Sequence, residues 1–93
     1  MPVAFYIPSY LRPFTDGRAR VELPRCPENV GQALAALWSM HPGVRDRVVT
    51  EQGELRAHIN VFVGEESIRS ARGFDTPVPP ECEIAILPAV SGG

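Results

Sequence analysis

The sequence predicts an α+β roll, a mixed four- to five-stranded sheet with one main helix packed on one face. Three observations carry this. Short apolar, β-branched runs of strand length recur at both ends and in the second half of the chain. Only one long stretch has the helical period. The resulting order is strand, strand, helix, strand, short strand, strand, and a single amphipathic helix can cover one face of such a sheet. Joining the first and last strands through the helix makes them central and parallel.

The first strand is Val3-Ala4-Phe5-Tyr6-Ile7, apolar and aromatic, ended by Pro8. Residues 8–17 contain two prolines and Asp16-Gly17 and read as a loop or an open hairpin connection. Arg18-Ala19-Arg20-Val21-Glu22-Leu23 alternates with period two, a half-buried strand beside solvent, which Pro24 and Pro27 end. Asn29 then reads as a helix N-cap. Gln32 three residues on completes a capping-box pattern, with Asn in place of the usual Ser or Thr. Val30, Ala33, Leu34, Leu37 and Trp38 form one apolar face, with Leu34 and Leu37 at its centre. His41-Pro42-Gly43 stops the helix, and residues 44–49 can add a further helical turn.

His58-Ile59-Asn60-Val61-Phe62-Val63-Gly64 is the clearest strand of the chain. Ile59, Val61 and Val63 point one way, Asn60 and Phe62 the other. Residues 65–69 read as a turn and a short edge strand, and the Gly- and Pro-rich residues 70–80 as a loop. The last strand, Glu83-Ile84-Ala85-Ile86-Leu87, again alternates. By this alternation Tyr6, Phe62, Ala85 and Leu87 leave the helix-covered side. Tyr6, Phe62 and Ala85 are expected to cluster as an apolar patch rimmed by arginines, a candidate docking surface.

Composition narrows the function classes. A net charge of −2 over 93 residues gives no nucleic-acid footprint and no basic membrane-surface patch. No apolar run approaches the roughly 20 residues of a membrane span. Met1-Pro2-Val3-Ala4-Phe5 has no basic segment before an apolar one, so the expected location is the cytoplasm. Cys26 and Cys82 stand far apart, with no Cys/His cluster at zinc spacing, so no metal site is expected. All nine basic residues are arginine.

The final residues carry the chemistry. Val90-Ser91-Gly92-Gly93 follows directly on the last strand and Pro88. Glycine has no Cβ, so such a tail can thread a narrow channel and present the Gly93 carboxylate in a partner's active site. The domain organisation expected is a globular body over residues 1–89 and a flexible diglycine tail over 90–93.

Distributed stretches make the chain resemble the MoaD/ThiS family of ubiquitin-like sulfur carriers. Tyr6-Ile7-Pro8-Ser9-Tyr10-Leu11-Arg12-Pro13-Phe14-Thr15 resembles the family's first strand and loop, and residues 29–37 its helix. Residues 58–69 resemble its strand and turn. Ile86-Leu87-Pro88-Ala89-Val90-Ser91-Gly92-Gly93 resembles its ending. The Arg-Pro loop and this ending are similar to the CysO-type members, which feed sulfur to cysteine biosynthesis. The departures are Gly64 and Ser91, where Asn and Ala are common.

The resemblance implies a ubiquitin-like β-grasp fold and a non-enzymatic carrier. An E1-like adenylating sulfurtransferase would activate Gly93 with MgATP and convert it to a thiocarboxylate, with Gly92, Ser91 and Val90 lying in the partner's channel. A sulfur-accepting synthase, cysteine synthase-like or other, would then take the sulfur. The chain itself would bind no cofactor. Three alternatives stay open: the small subunit of molybdopterin synthase, a protein modifier that forms isopeptide bonds through Gly93, and a plain ubiquitin-like binding module that does not need the diglycine.

Overall fold

The computed structural model describes residues 3–88 of the chain. The tail positions Val90, Ser91, Gly92 and Gly93, and the boundary placed after residue 89, lie outside the described residues. Five strands form one sheet: β1 (Ala4–Tyr6), β2 (Arg20–Glu22), β3 (Ile59–Val63), β4 (Glu66–Ser67) and β5 (Glu83–Pro88). Their spatial order is β2-β1-β5-β3-β4, with β1 and β5 parallel at the centre and every other pairing antiparallel. The helix α1 (Val30–Met40) lies between β2 and β3 in sequence, and a short α2 (Arg45–Val48) follows it. This is the β-grasp roll expected, with five strands, within the four to five foreseen.

The core forms where α1 meets the inner sheet face. Val30, Ala33, Leu34 and Leu37 are buried on the helix. Phe5, Val21, Ile59, Val61, Val63, Ile84 and Ile86 are buried on the strands. Every one of the strand residues is on the side that period-two alternation assigned to the core. Trp38, on the helix face, is half-buried and packs against the same cluster.

The N-terminus of α1 is capped as the sequence specifies, with one shift. The Asn29 Oδ1 accepts from the Gln32 amide at 2.8 Å. The Gln32 side chain turns back to accept from the Glu28 amide at 3.0 Å, one residue before the cap. Asn29→Ala is expected to cost about 1 kcal/mol, because the Gln32 amide loses its acceptor. Urea unfolding at constant m-value checks this, and a midpoint that does not move would mean water replaces the cap at no cost.

Two connections differ from expectation. Residues 8–17 are not an open loop, because Ser9–Thr15 winds into a 3-10 helix. Prolines read as breakers in the sequence, but the fixed φ of Pro13 suits 3-10 dihedrals. Leu11 is anchored in the core, and the buried Thr15 hydroxyl donates to the Arg18 carbonyl at 2.9 Å. Asp16 and Gly17 then turn the chain through positive φ. The second strand is shorter than the alternation implies, although bonds from the Ile7 amide to the Ala19 carbonyl and from the Leu23 amide to the Val3 carbonyl prolong its pairing. The 70–80 segment, read as loop, contains a 3-10 turn at Gly73–Asp75 and is pinned. The Thr76 carbonyl accepts from the Val30 amide at 3.0 Å, and the Val78 amide donates to the Glu28 carbonyl. It therefore seals the start of α1.

Candidate functional site: the open sheet face and the end of β5

Alternation puts Tyr6, Ala85 and Phe62 on the face away from α1, and the register puts them in one line. Tyr6 of β1 lies opposite Ala85 of β5, which lies opposite Phe62 of β3. Arg20 extends this row on β2 and Ser67 on β4. Side chains directly opposite on one face are in reach of each other. The three expected docking residues thus form one strip across the three middle strands. Leu87, the fourth, lies one row nearer the end of β5, opposite Asn60.

The strip is apolar and accessible. Tyr6 is 36% exposed, while Phe62, Ala85 and Leu87 are half-buried. The arginine rim is one-sided. Arg12 stands over the Tyr6 ring at 5.8 Å, with its Nη2 donating to the Tyr6 hydroxyl at 3.4 Å. Arg20 is ion-paired with Glu22 at 3.2 Å. The β4 side is instead neutral and polar, with the Ser67 hydroxyl donating to Asn60 Oδ1 at 2.8 Å. The expected arginine rim is thus present on the β1 and β2 side of the strip. The edge strand β4 is only two residues long, and Ser67 is what it offers to this face.

Sequence reasoning missed a second group, at the end of the sheet where β5 finishes. Pro88 lies opposite Ile59. The Arg69 Nη2 donates to the carbonyls of Ile59 and Arg56, each at 2.8 Å. The Arg56 Nε donates to the Asp46 carbonyl at 2.8 Å. Arg47 lies over the Phe14 ring at 4.6 Å. Arg47, Arg56 and His58 line a shallow hollow together with Tyr10 and Asp46. These residues come from five separate segments, so no spacing rule gathers them. The available signal was weaker: arginine is the basic residue throughout, and its planar fork suits fixed positions.

Other candidates fall away. Cys26 is exposed and Cys82 half-buried, and both are free thiols. Burial pushes the Cys82 thiol up, and the neighbouring Glu83 charge adds to this against two backbone hydrogen bonds. A raised pKa reduces the thiolate, the nucleophilic form. Among the described residues no three His, Cys, Asp or Glu side chains gather as a metal site. No helix of the described residues is long and apolar enough to cross a membrane.

Comparison with known proteins bears on the family and the fold. The model of the ThiS family matches residues 6–93. The sulfur carrier protein CysO of Mycobacterium tuberculosis is 30% identical, with 100% of each chain covered. A crystal structure of the Amycolatopsis orientalis BexX/CysO complex contains a chain with TM-score 0.85 and 35% identity, covering 98% of this chain and 99% of that one. SAMP1 of Haloferax volcanii, a small archaeal modifier protein, superposes with TM-score 0.80 at 30% identity, with both chains covered completely.

Proposed function

This chain belongs to the ThiS family, and on that premise we propose that it is a sulfur carrier protein whose reactive group is the α-carboxyl of Gly93. The observation that carries the reading is the end-to-end match to a CysO sulfur carrier, which includes Gly92 and Gly93. In a chain that ends at Gly93 the carboxyl is anionic at neutral pH and a poor electrophile. An E1-like partner supplies the activation. A carboxylate oxygen attacks the α-phosphorus of MgATP, pyrophosphate leaves, and an acyl-adenylate forms. Sulfide then attacks the acyl carbon and AMP leaves, giving the thiocarboxylate.

The carrier thus contributes a reactive end and a docking surface, and the partner contributes the catalytic groups. Gly92, Ser91 and Val90 lie along the partner's channel. A sulfur-accepting synthase, of cysteine synthase type or another, takes the sulfur next. The need for MgATP places the reaction in the cytoplasm. Intact mass after incubation with MgATP, the adenylating enzyme and a sulfide source tests this. The expected result is the gain of one sulfur in place of one oxygen, and an unchanged mass would overturn the reading.

A second reading, a protein modifier, is favoured by the 44% identity to SAMP1 over 64 residues. Here an amine of another protein attacks the same adenylate, and AMP leaves as an isopeptide bond forms. Conjugates of higher mass in cell extract distinguish it. The chain contains no lysine and so offers no side-chain amine to another copy of itself.

The Tyr6, Ala85 and Phe62 strip, with Leu87 beside it, is the proposed contact with the adenylating enzyme. Phe62→Asp is expected to weaken that binding by about 2 kcal/mol, more than tenfold in Kd, because a charge must be desolvated without a partner. The fold should persist, since Phe62 faces away from the core. Calorimetric titration measures the loss, and unchanged affinity removes Phe62 from the interface.

A further inference from the structure

We propose that the arginine cluster at the end of β5, made of Arg47, Arg56 and Arg69, is a docking surface for carboxylates on the adenylating partner, set beside the mouth of its tail channel. The identity of the partner rests on the sulfur-carrier reading, whereas the cluster itself rests on four observations.

The guanidiniums are held in place. Arg56 and Arg69 are pinned by backbone carbonyls and Arg47 by the Phe14 ring. A surface arginine ordinarily loses side-chain entropy when it binds, so prior fixing removes part of that cost. Second, no carboxylate among the described residues forms an ion pair with Arg47, Arg56 or Arg69, whereas Arg20 and Arg45 do have acidic partners. A guanidinium has five N–H donors, of which Arg56 spends one and Arg69 two on these carbonyls. Arg56 therefore keeps its two Nη groups, and Arg47 its fork, for a bidentate carboxylate, while Arg69, whose Nη2 is spent on two carbonyls, adds charge and single hydrogen bonds.

Third, charge is separated along β5 although the whole chain is net negative. Glu22 and Glu83 flank Ala4 at the start of the strand, with Glu65 and Glu66 in the neighbouring turn. The arginines gather at its other end, around Ile59 and Pro88, where they outnumber the one carboxylate lining the hollow, Asp46, which is ion-paired with Arg45. A field of this polarity orients the molecule as it approaches an acidic surface, with the end of β5 leading. Fourth, the cluster adjoins the apolar strip through Leu87 and Asn60, so one partner can cover both. Exposed Tyr10 gives the hollow an aromatic wall beside Asp46 and His58, which suits a protein surface better than free phosphate.

The test is association with the adenylating enzyme by stopped flow at several ionic strengths, comparing the wild-type chain with Arg47→Gln/Arg56→Gln. These substitutions remove charge and leave the core untouched. The association rate is expected to fall about tenfold at low salt, and its salt dependence to flatten. An unchanged rate and salt slope would overturn the proposal.

The sulfur mass gain is read on the same samples. If wild type and variant both gain sulfur and associate equally fast, the docking surface fails and the carrier reading stands. If wild type gains none, the carrier reading fails, and a titration of the arginine Nε–H resonances decides the surface. A glutamate-rich peptide should then shift Arg47, Arg56 and Arg69 together. No shift, or tighter saturation by a single-stranded oligonucleotide of equal length, would overturn the carboxylate assignment.

Discussion

A chain lacking Gly93, or carrying Gly92→Val, is expected to gain no sulfur from the adenylating partner while its melting temperature stays within about 2 °C of wild type, the shift that roughly 0.3 kcal/mol produces in a domain of this size. The two halves of this result have separate causes. Without Gly93 the carboxyl ends one residue early, about 3.5 Å short of the attacked phosphorus. Misplacement of a reacting atom by even about 1 Å can cost roughly a hundredfold in rate. Valine at 92 adds a β-branched side chain and restricts φ where an extended peptide must pass a narrow channel. Stability is spared because the buried core lies between Val3 and Ile86. Intact mass and a thermal melt on the same samples check both halves. A Gly93-deleted chain that gains sulfur at the normal rate would sink the site assignment and the carrier reading together.

The sheet and helix were legible because their signals are local and agree with one another. Period-two alternation in β3 and β5 assigned Ile59, Val61, Val63, Ile84 and Ile86 to the core, and all five are buried. The same alternation put Tyr6, Phe62 and Ala85 outward. Their alignment in one row needs the register, which depends on pairings between residues up to 79 positions apart. Sequence order and the parallel crossover rule supplied the neighbours, but not the row.

Two features were not legible. The 3-10 run at Ser9–Thr15 depends on Leu11 reaching the core and on the Thr15 hydroxyl finding the Arg18 carbonyl. Proline content alone says only that a regular strand stops there. The arginine cluster depends on backbone carbonyls left open at the start of β3 and in α2, which Arg69 and Arg56 fill. Open carbonyls exist only once the fold does. The apolar strip was therefore a prediction of pattern, and the cluster is a product of topology.

Leu37→Ala tests the packing on which all of this stands, with an expected loss of roughly 2–5 kcal/mol. Leu37 is fully buried in the third turn of α1, on the face shared with Val30, Ala33 and Leu34. Truncation removes buried methyl groups and leaves a cavity that a five-stranded sheet cannot readily close, because β1, β5 and β3 are fixed to one another by their ladders. At roughly 4–8 °C per kcal/mol for a domain of this length, the melting temperature should drop by about 8–40 °C. Helix propensity does not offset this, since Ala is only slightly better than Leu in a helix. The control is Ala35→Gln on the exposed side of the same helix, where the expected change is within about 0.5 kcal/mol. Equal effects at the two positions would mean that the helix presents a different face to the sheet. A large loss at Leu37 alone fixes the orientation of α1. With it stands the assignment of the opposite sheet face, carrying Tyr6, Ala85 and Phe62, to the side away from the core.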